Sequence, residues 1–185
     1  MAHCAVSTVR ARSRLSGPQP RALPEAVMNM KSRLPALDTA EVATVTGSGY
    51  PEPFKSRVAA RRKQRLGDAL GLKHFGVNLT TIPPGAVSAL RHWHSHEDEF
   101  IYIVSGELVL VTNDGEQRLT AGMCAGFPAG KPDGHCLVNR TGKDAVYLEV
   151  GDRSPDDAVT YPDDDIAGRA TPQGRRFTRK DGTPY

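Results

Sequence analysis

Three histidines and three acids fall between positions 92 and 99: His92, His94, His96, Glu97, Asp98 and Glu99. Neutral imidazole together with carboxylate suits a transition metal such as Zn, Fe, Mn, Ni or Cu, whereas Ca and Mg prefer all-oxygen sites. On a β-strand, residues two apart share a face, so His92 and His94 project into the same space and can grip one ion. Glu99 has the opposite parity. A turn through Ser95–Asp98 would reset the phase and bring Glu99 inward on the following strand. A fourth ligand must then come from elsewhere, and His135 is the candidate, because it opens the apolar stretch HCLVN directly after a Gly-rich loop. His96 has the right strand parity but is expected at the rim, and Glu97 and Asp98 are expected to solvate the turn. The run Asp163-Asp164-Asp165 also invites a metal, but adjacent like charges cannot all converge on one point, so it reads as a solvated loop.

The elements that must position these residues have strand rhythm. HFGVNLTTIPPG reads as a strand ending at Pro83-Pro84-Gly85, and ALRHWH as the next. EFIYIVSGELVLVTNDGEQRLT reads as a hairpin series turning at Ser105-Gly106 and Asn113-Asp114-Gly115. FPAGKPDGHCLVNRT and DAVYLEVGD supply two more strands. Many short strands at roughly 8–12 residue spacing, without helical periodicity between them, predict an all-β sandwich or barrel. Four regions follow. Residues 1–33 are a leader expected to be disordered, with Glu25 the only acid before Met28. Residues 34–69 form an extended arm and a basic segment, whose run KSRVAARRKQR (55–65) reads as an exposed helical turn or a loop. Residues 70–152 form the barrel. Residues 153–185, acidic and Pro-rich before a polar basic tail, form a C-terminal extension packing on the barrel or on a partner. For the leader two readings stay open: a transit-type segment, and an extension upstream of a natural start at Met28 or Met30, the second being favoured.

Two ordered motifs carry a resemblance. Gly85, then His92-Trp93-His94, Glu99, and after six residues Gly106, resembles the first motif of the cupin superfamily. Gly122, five residues, Pro128-Ala129-Gly130, four residues, His135, three residues and Asn139 resembles the second. The interval from Gly85 to His92 is one residue longer than the usual pattern, and Pro132-Asp133 adds two residues before His135; both insertions fall in loops, where they are tolerated. The resemblance covers about residues 70–152 and is strongest to small single-barrel bacterial cupins of unassigned role. It implies an antiparallel double-stranded β-helix, or jelly-roll barrel, with an extended N-terminal arm. It also implies one divalent transition metal (Zn, Fe, Mn or Ni) held by His92, His94, Glu99 and His135 with coordination positions left open, and a homodimer whose arm and C-terminal tail cross to the neighbour. Asn78, Tyr102 and Tyr147 are the candidates for contact with a small-molecule ligand. Arg91 and Trp93, of opposite parity to the ligands, should point out of the barrel. The reaction stays open between a metal-dependent enzyme of dioxygenase or isomerase type and a non-catalytic binding module, and no acid or base beside the site announces a catalytic residue.

Charge and cysteine content narrow the setting. The pI is near 8.8, yet residues 1–65 hold 12 Lys/Arg against 4 Asp/Glu, while residues 66–185 hold 12 against 17. The barrel itself is therefore acidic and should repel phosphate backbones, which argues against a nucleic-acid partner. No apolar run is long enough for a membrane helix, so no membrane partner is expected. Three cysteines (Cys4, Cys124, Cys136) without a CxxC pair fit a reducing, cytoplasmic setting; a Cys124–Cys136 bridge across adjacent strands is the minority alternative.

Overall fold

The computed structural model describes residues 35–185. The readings made for residues 1–33, for Cys4 and for a start at Met28 or Met30 lie outside the described residues. Thirteen strands carry the described chain, and their pairing is antiparallel throughout. The arm contributes β1 (Thr44–Thr46) and β2 (Arg62–Gln64). The barrel contributes β3 (Phe75–Ile82), β4 (Trp93–His94), β5 (Glu99–Ser105), β6 (Glu107–Thr112), β7 (Gly115–Thr120), β8 (Cys124–Phe127), β9 (Cys136–Val138) and β10 (Ala145–Asp152). The extension adds β11 (Ala158–Thr160), β12 (Ala167–Thr171) and β13 (Gly174–Thr178). They form sheets ordered β1-β2-β3-β10-β5-β8, β13-β12-β11-β4 and β7-β6-β9. This is the all-β jelly-roll arrangement that the strand rhythm and the motifs predict.

Alternation along the central strands builds the barrel interior. Ile101 and Ile103 on β5 are buried while Phe100, Tyr102 and Val104 are exposed, and Ile82, Leu108, Leu110, Leu119, Leu137, Ala145 and Tyr147 complete one apolar core. Each of the Ile and Leu side chains contributes on the order of 1.5–3 kcal/mol through burial. One expected hairpin is instead a corner. At Ser105-Gly106 the chain passes from β5 in the large sheet to β6 in the three-stranded one. Gly106 has φ +77°, and a Cβ there would stand 2.8 Å from both Ala145 Cα and Asp144 O. The close of the first motif is thus glycine for two reasons, a left-handed backbone and the passage of the neighbouring chain. Asn113-Asp114 does form the tight turn expected, joining β6 to β7.

The two regions flanking the barrel have a core of their own. Phe54 and Val58 from the arm pack with Leu90 and with Val159, Tyr161 and Ile166 from the extension, all buried. The basic segment is an exposed helical turn only at its start, and a strand after it. Lys55–Val58 is one 3-10 turn whose Val58 is buried, and Arg62–Gln64 is a strand in register with Leu79–Thr81 of β3. A run of Arg, Lys and Gln has low intrinsic strand preference, so tertiary pairing imposes this conformation. The possible Cys124–Cys136 bridge is also corrected: both thiols are free, one on β8 of the large sheet and the other on β9 of the three-stranded sheet. Burial pushes the Cys136 thiol up to about 11. Among the described residues, no helix is long and apolar enough to cross a membrane.

Candidate metal centre

His94 sits on β4, directly before a bend at Ser95-His96, and Glu99 opens β5. That bend resets the strand phase and turns Glu99 to the face His92 and His94 occupy. His92 and His135 stand opposite each other in a two-way backbone bridge, with His92 N donating to His135 O (3.1 Å) and His135 N to His92 O (2.8 Å). The bridge holds the two rings at a centroid distance of 4.9 Å. A parallel stack with Phe127, at 3.6 Å, fixes the plane of His135.

The side chains of all four residues meet at one carboxylate oxygen. Glu99 Oε2 lies 2.8 Å from His135 Nε2, 3.6 Å from His94 Nε2 and 3.8 Å from His92 Nε2. The other ring nitrogens settle which atoms can bind an ion. His92 Nδ1 donates to the Leu90 carbonyl (2.8 Å) and His94 Nδ1 to Asp157 Oδ2 (2.7 Å), which leaves both Nε2 atoms as lone pairs. Two imidazole lone pairs then face an anionic oxygen, acceptor against acceptor, and a cation between them resolves the conflict. The donor set therefore fits a divalent ion. Burial lowers the His92 pKa to about 3, and the other two rings add to this against the pull of Glu99, so His92 is neutral and ready to ligate at ordinary pH. Burial alone would raise Glu99, but the hydrogen bond it accepts from His135 holds its carboxyl well below the usual range. In this protein the carboxylate is ionised.

Behind His94 stands a second layer that the motifs do not contain. Asp157, wholly buried, accepts a hydrogen bond from His94 Nδ1 and another from His96 N at 3.1 Å. Arg175 Nη2 reaches Asp157 Oδ2 at 3.2 Å and Glu97 Oε2 at 3.3 Å. Glu97 Oε2 in turn lies 3.3 Å from His94 Nδ1. Glu97 is thus half-buried behind the ligand and does not solvate the turn. His94, Glu97 and Asp157 could also be drawn around an ion of their own, but the Arg175 guanidinium already bridges the two acids and the Nδ1 proton fills the space. Burial and the adjacent Asp157 hold Glu97 above its ordinary value, whereas the bond to His94 outweighs burial and holds Asp157 below its own. Carboxylate, imidazole and ligand position form the triad by which proteins orient metal-binding histidines. Its signal in the sequence is only an Asp in an acidic stretch and an Arg near the end.

The cluster opens into a cavity of about 760 Å3. Tyr147 lines it and donates to Glu149 Oε2 at 2.8 Å; Glu149 Oε1 accepts from Asn78 Nδ2 at 2.8 Å and pairs with Lys63. Burial, then the Glu149 charge, raises Tyr147 far above an ordinary phenol, so its hydroxyl keeps its proton. Asn78 acts one step back, through Glu149. Tyr102 is exposed on the outer face of β5 and does not line the cavity. Arg91 does point away from the ligands, toward Asp163 (2.6 Å), and His96 Nδ1 turns to Ser95 Oγ at 2.7 Å. Glu149 and Lys63 were missed in the sequence because neither stands in a motif.

The cupin domain model matches residues 78–151. Among solved structures, the chain is similar to a cupin-superfamily protein of Silicibacter pomeroyi described as a sugar phosphate isomerase. The two share 45% identity over 81% of this chain and 96% of that one, with a TM-score of 0.78. A protein of Acidithiobacillus ferrooxidans, described as a candidate sugar phosphate isomerase, is 27% identical over 83% and 97% of the two chains, with a TM-score of 0.69. No curated relative matches the chain.

Proposed function

The chain belongs to the cupin superfamily, and from that premise we propose that it is a metal-dependent isomerase acting on a small phosphorylated sugar. The observation that carries the reading is the meeting of three Nε2 atoms on Glu99 Oε2 at the floor of an open cavity. His92, His94, Glu99 and His135 would hold one divalent ion; their mixed nitrogen and oxygen set suits Zn, Fe, Mn or Ni. When bound, such an ion supplies Lewis acidity, polarising a sugar carbonyl and its neighbouring hydroxyl. An isomerisation also needs a group that carries a proton from one carbon to the next. Glu149 has the position for it. Its strand partner is Ile101, two residues from Glu99 on the inward face of β5, so Glu99 and Glu149 are diagonal neighbours on one face of the sheet. Lys63 and Asn78 fix one oxygen of Glu149 and Tyr147 the other. The carboxylate would accept the proton and return it, while Tyr147 donates to whichever oxygen carries charge.

The sugar-phosphate class is further supported by the descriptions of the two similar proteins. The test is incubation of the metal-loaded protein with a panel of aldose and ketose phosphates in heavy water, followed by proton NMR. Interconversion of one pair, with deuterium appearing at the carbon beside the carbonyl, is the expected result. No turnover by a protein carrying one metal per chain would sink the isomerase reading and favour a binding role.

A further inference from the structure

Strand alternation turns Arg61, Lys63 and Arg65 to the cavity and Arg62 to the outside. Five cationic side chains line this space, and four have a carboxylate. Lys63 pairs with Glu149, Arg153 with Asp68, Arg175 with Glu97 and Asp157, and Arg65 lies 4.0 Å from Asp68. Among the described residues Arg61 has none. Its one polar contact is Nη1 donating to the Ser88 carbonyl, so most of its five N–H donors are uncommitted. A guanidinium cannot discharge itself by losing a proton. A half-buried cation without a counter-ion is costly to keep, and a bound anion removes that cost.

We propose that Arg61 anchors the phosphate group of the substrate, at the arm side of the cavity, while the sugar oxygens meet the four-residue cluster at the other. The proposal rests on the phosphorylated-sugar reading above. The guanidinium fork matches a phosphomonoester in two parallel hydrogen bonds. Its placement agrees with a bridging substrate: Arg61, Tyr147, Glu149 and Glu99 all line the same cavity. The arm would then set which sugars bind, and the barrel what happens to them.

The experiment titrates inorganic phosphate into full-length wild type, Arg61→Met and Arg61→Lys by calorimetry, each both metal-loaded and metal-free. Elemental analysis and a melting curve are run on every sample. Wild type is expected to bind phosphate with or without the ion. Arg61→Met should weaken binding at least tenfold in both states with metal content unchanged, and Arg61→Lys should recover part of it. Arg61→Met binding like wild type would overturn the proposal, because phosphate would then be held by groups other than Arg61. Acetate binding as tightly as phosphate, and equally sensitive to Arg61, would overturn the phosphate assignment in favour of a carboxylate. A protein that never takes up metal but still shows the Arg61 effect would defeat the isomerase reading and leave the anion site standing.

Discussion

The two walls of the cavity are built in opposite ways. On the histidine wall, charge is concentrated and internally opposed: one carboxylate oxygen faces three imidazole nitrogens, with the buried Asp157 behind, paired to an exposed Arg175. On the arm wall, cations are spread along a strand, and among the described residues all but Arg61 close on acids nearby. The first wall is set by His92, His94 and Glu99, close in sequence around one bend, with His135 bridged to His92. The second exists only because β2, from outside the barrel, pairs with β3. Chemistry is thereby separated from recognition. On the proposed function the barrel would fix an ion and a proton carrier, and the flanking segments would fix the charge that a substrate meets on entry.

The largest effect should come from breaking the first wall. His94→Ala removes one Nε2 donor and leaves the Asp157 carboxylate without its imidazole. Elemental analysis should show the loss of stoichiometric metal, and isomerase turnover should fall to background. A variant that keeps one tightly bound ion per chain would mean that the cluster is not the metal centre. Next comes Glu149→Gln, which separates the walls by function. Metal content should stay at the wild-type level while kcat falls on the order of 10²–10⁴-fold. A change confined to KM would make Glu149 a binding residue and leave the proton carrier to be sought elsewhere.

How much of this was legible in the sequence follows the same division. His92, His94, Glu99 and His135 could be grouped because strand parity, one turn and two motif intervals relate them at short range. The barrel strands were legible because apolar and polar residues alternate along β5 and β6. The arm wall was not, because Arg61–Arg65 offers no hydrophobic period from which to tell a strand from a loop. Its inward face is known only once Lys63 is seen opposite Thr80. Asp157 and Arg175 were hidden for another reason. They reach His94 across the fold from a segment whose composition suggested only solvated loop, and it takes the apolar seam of Phe54, Val58, Val159, Tyr161 and Ile166 to bring that segment in. Counting charge by region also misled: the barrel is acidic overall, but cations from the arm line its cavity.

A third test asks whether the layer behind His94 belongs to the metal centre. Asp157→Asn should weaken metal binding by about 10–100-fold while the fold and the ligand set are retained. The pH dependence gives a second readout. The Asp157 pKa is lowered in the folded state, so its contribution to stability is complete above its unfolded value of about 3.9 and is lost as pH falls through the lower folded value. The acid limb of the wild-type unfolding curve should therefore contain a component that Asp157→Asn lacks. Identical acid limbs, with metal affinity unchanged, would reduce Asp157 to a packing residue.

The smallest effect is the one that tests the alternation itself. Arg62 lies between Arg61 and Lys63 in the chain but faces outward, paired with Asp144 across partly exposed surface. An exposed ion pair of this kind is worth at most about 1 kcal/mol and is screened by salt. Arg62→Ala should therefore lower stability by no more than that, by denaturant titration, and less at high salt. Phosphate binding and turnover should match wild type, in contrast to Arg61→Met one position earlier. The contrast is informative because the two residues have the same charge and almost the same place in the chain. Only the side of the strand differs. Equal losses at positions 61 and 62 would mean that the arm attracts the substrate by its net charge, and the division between a recognition wall and a reaction wall would have to be given up.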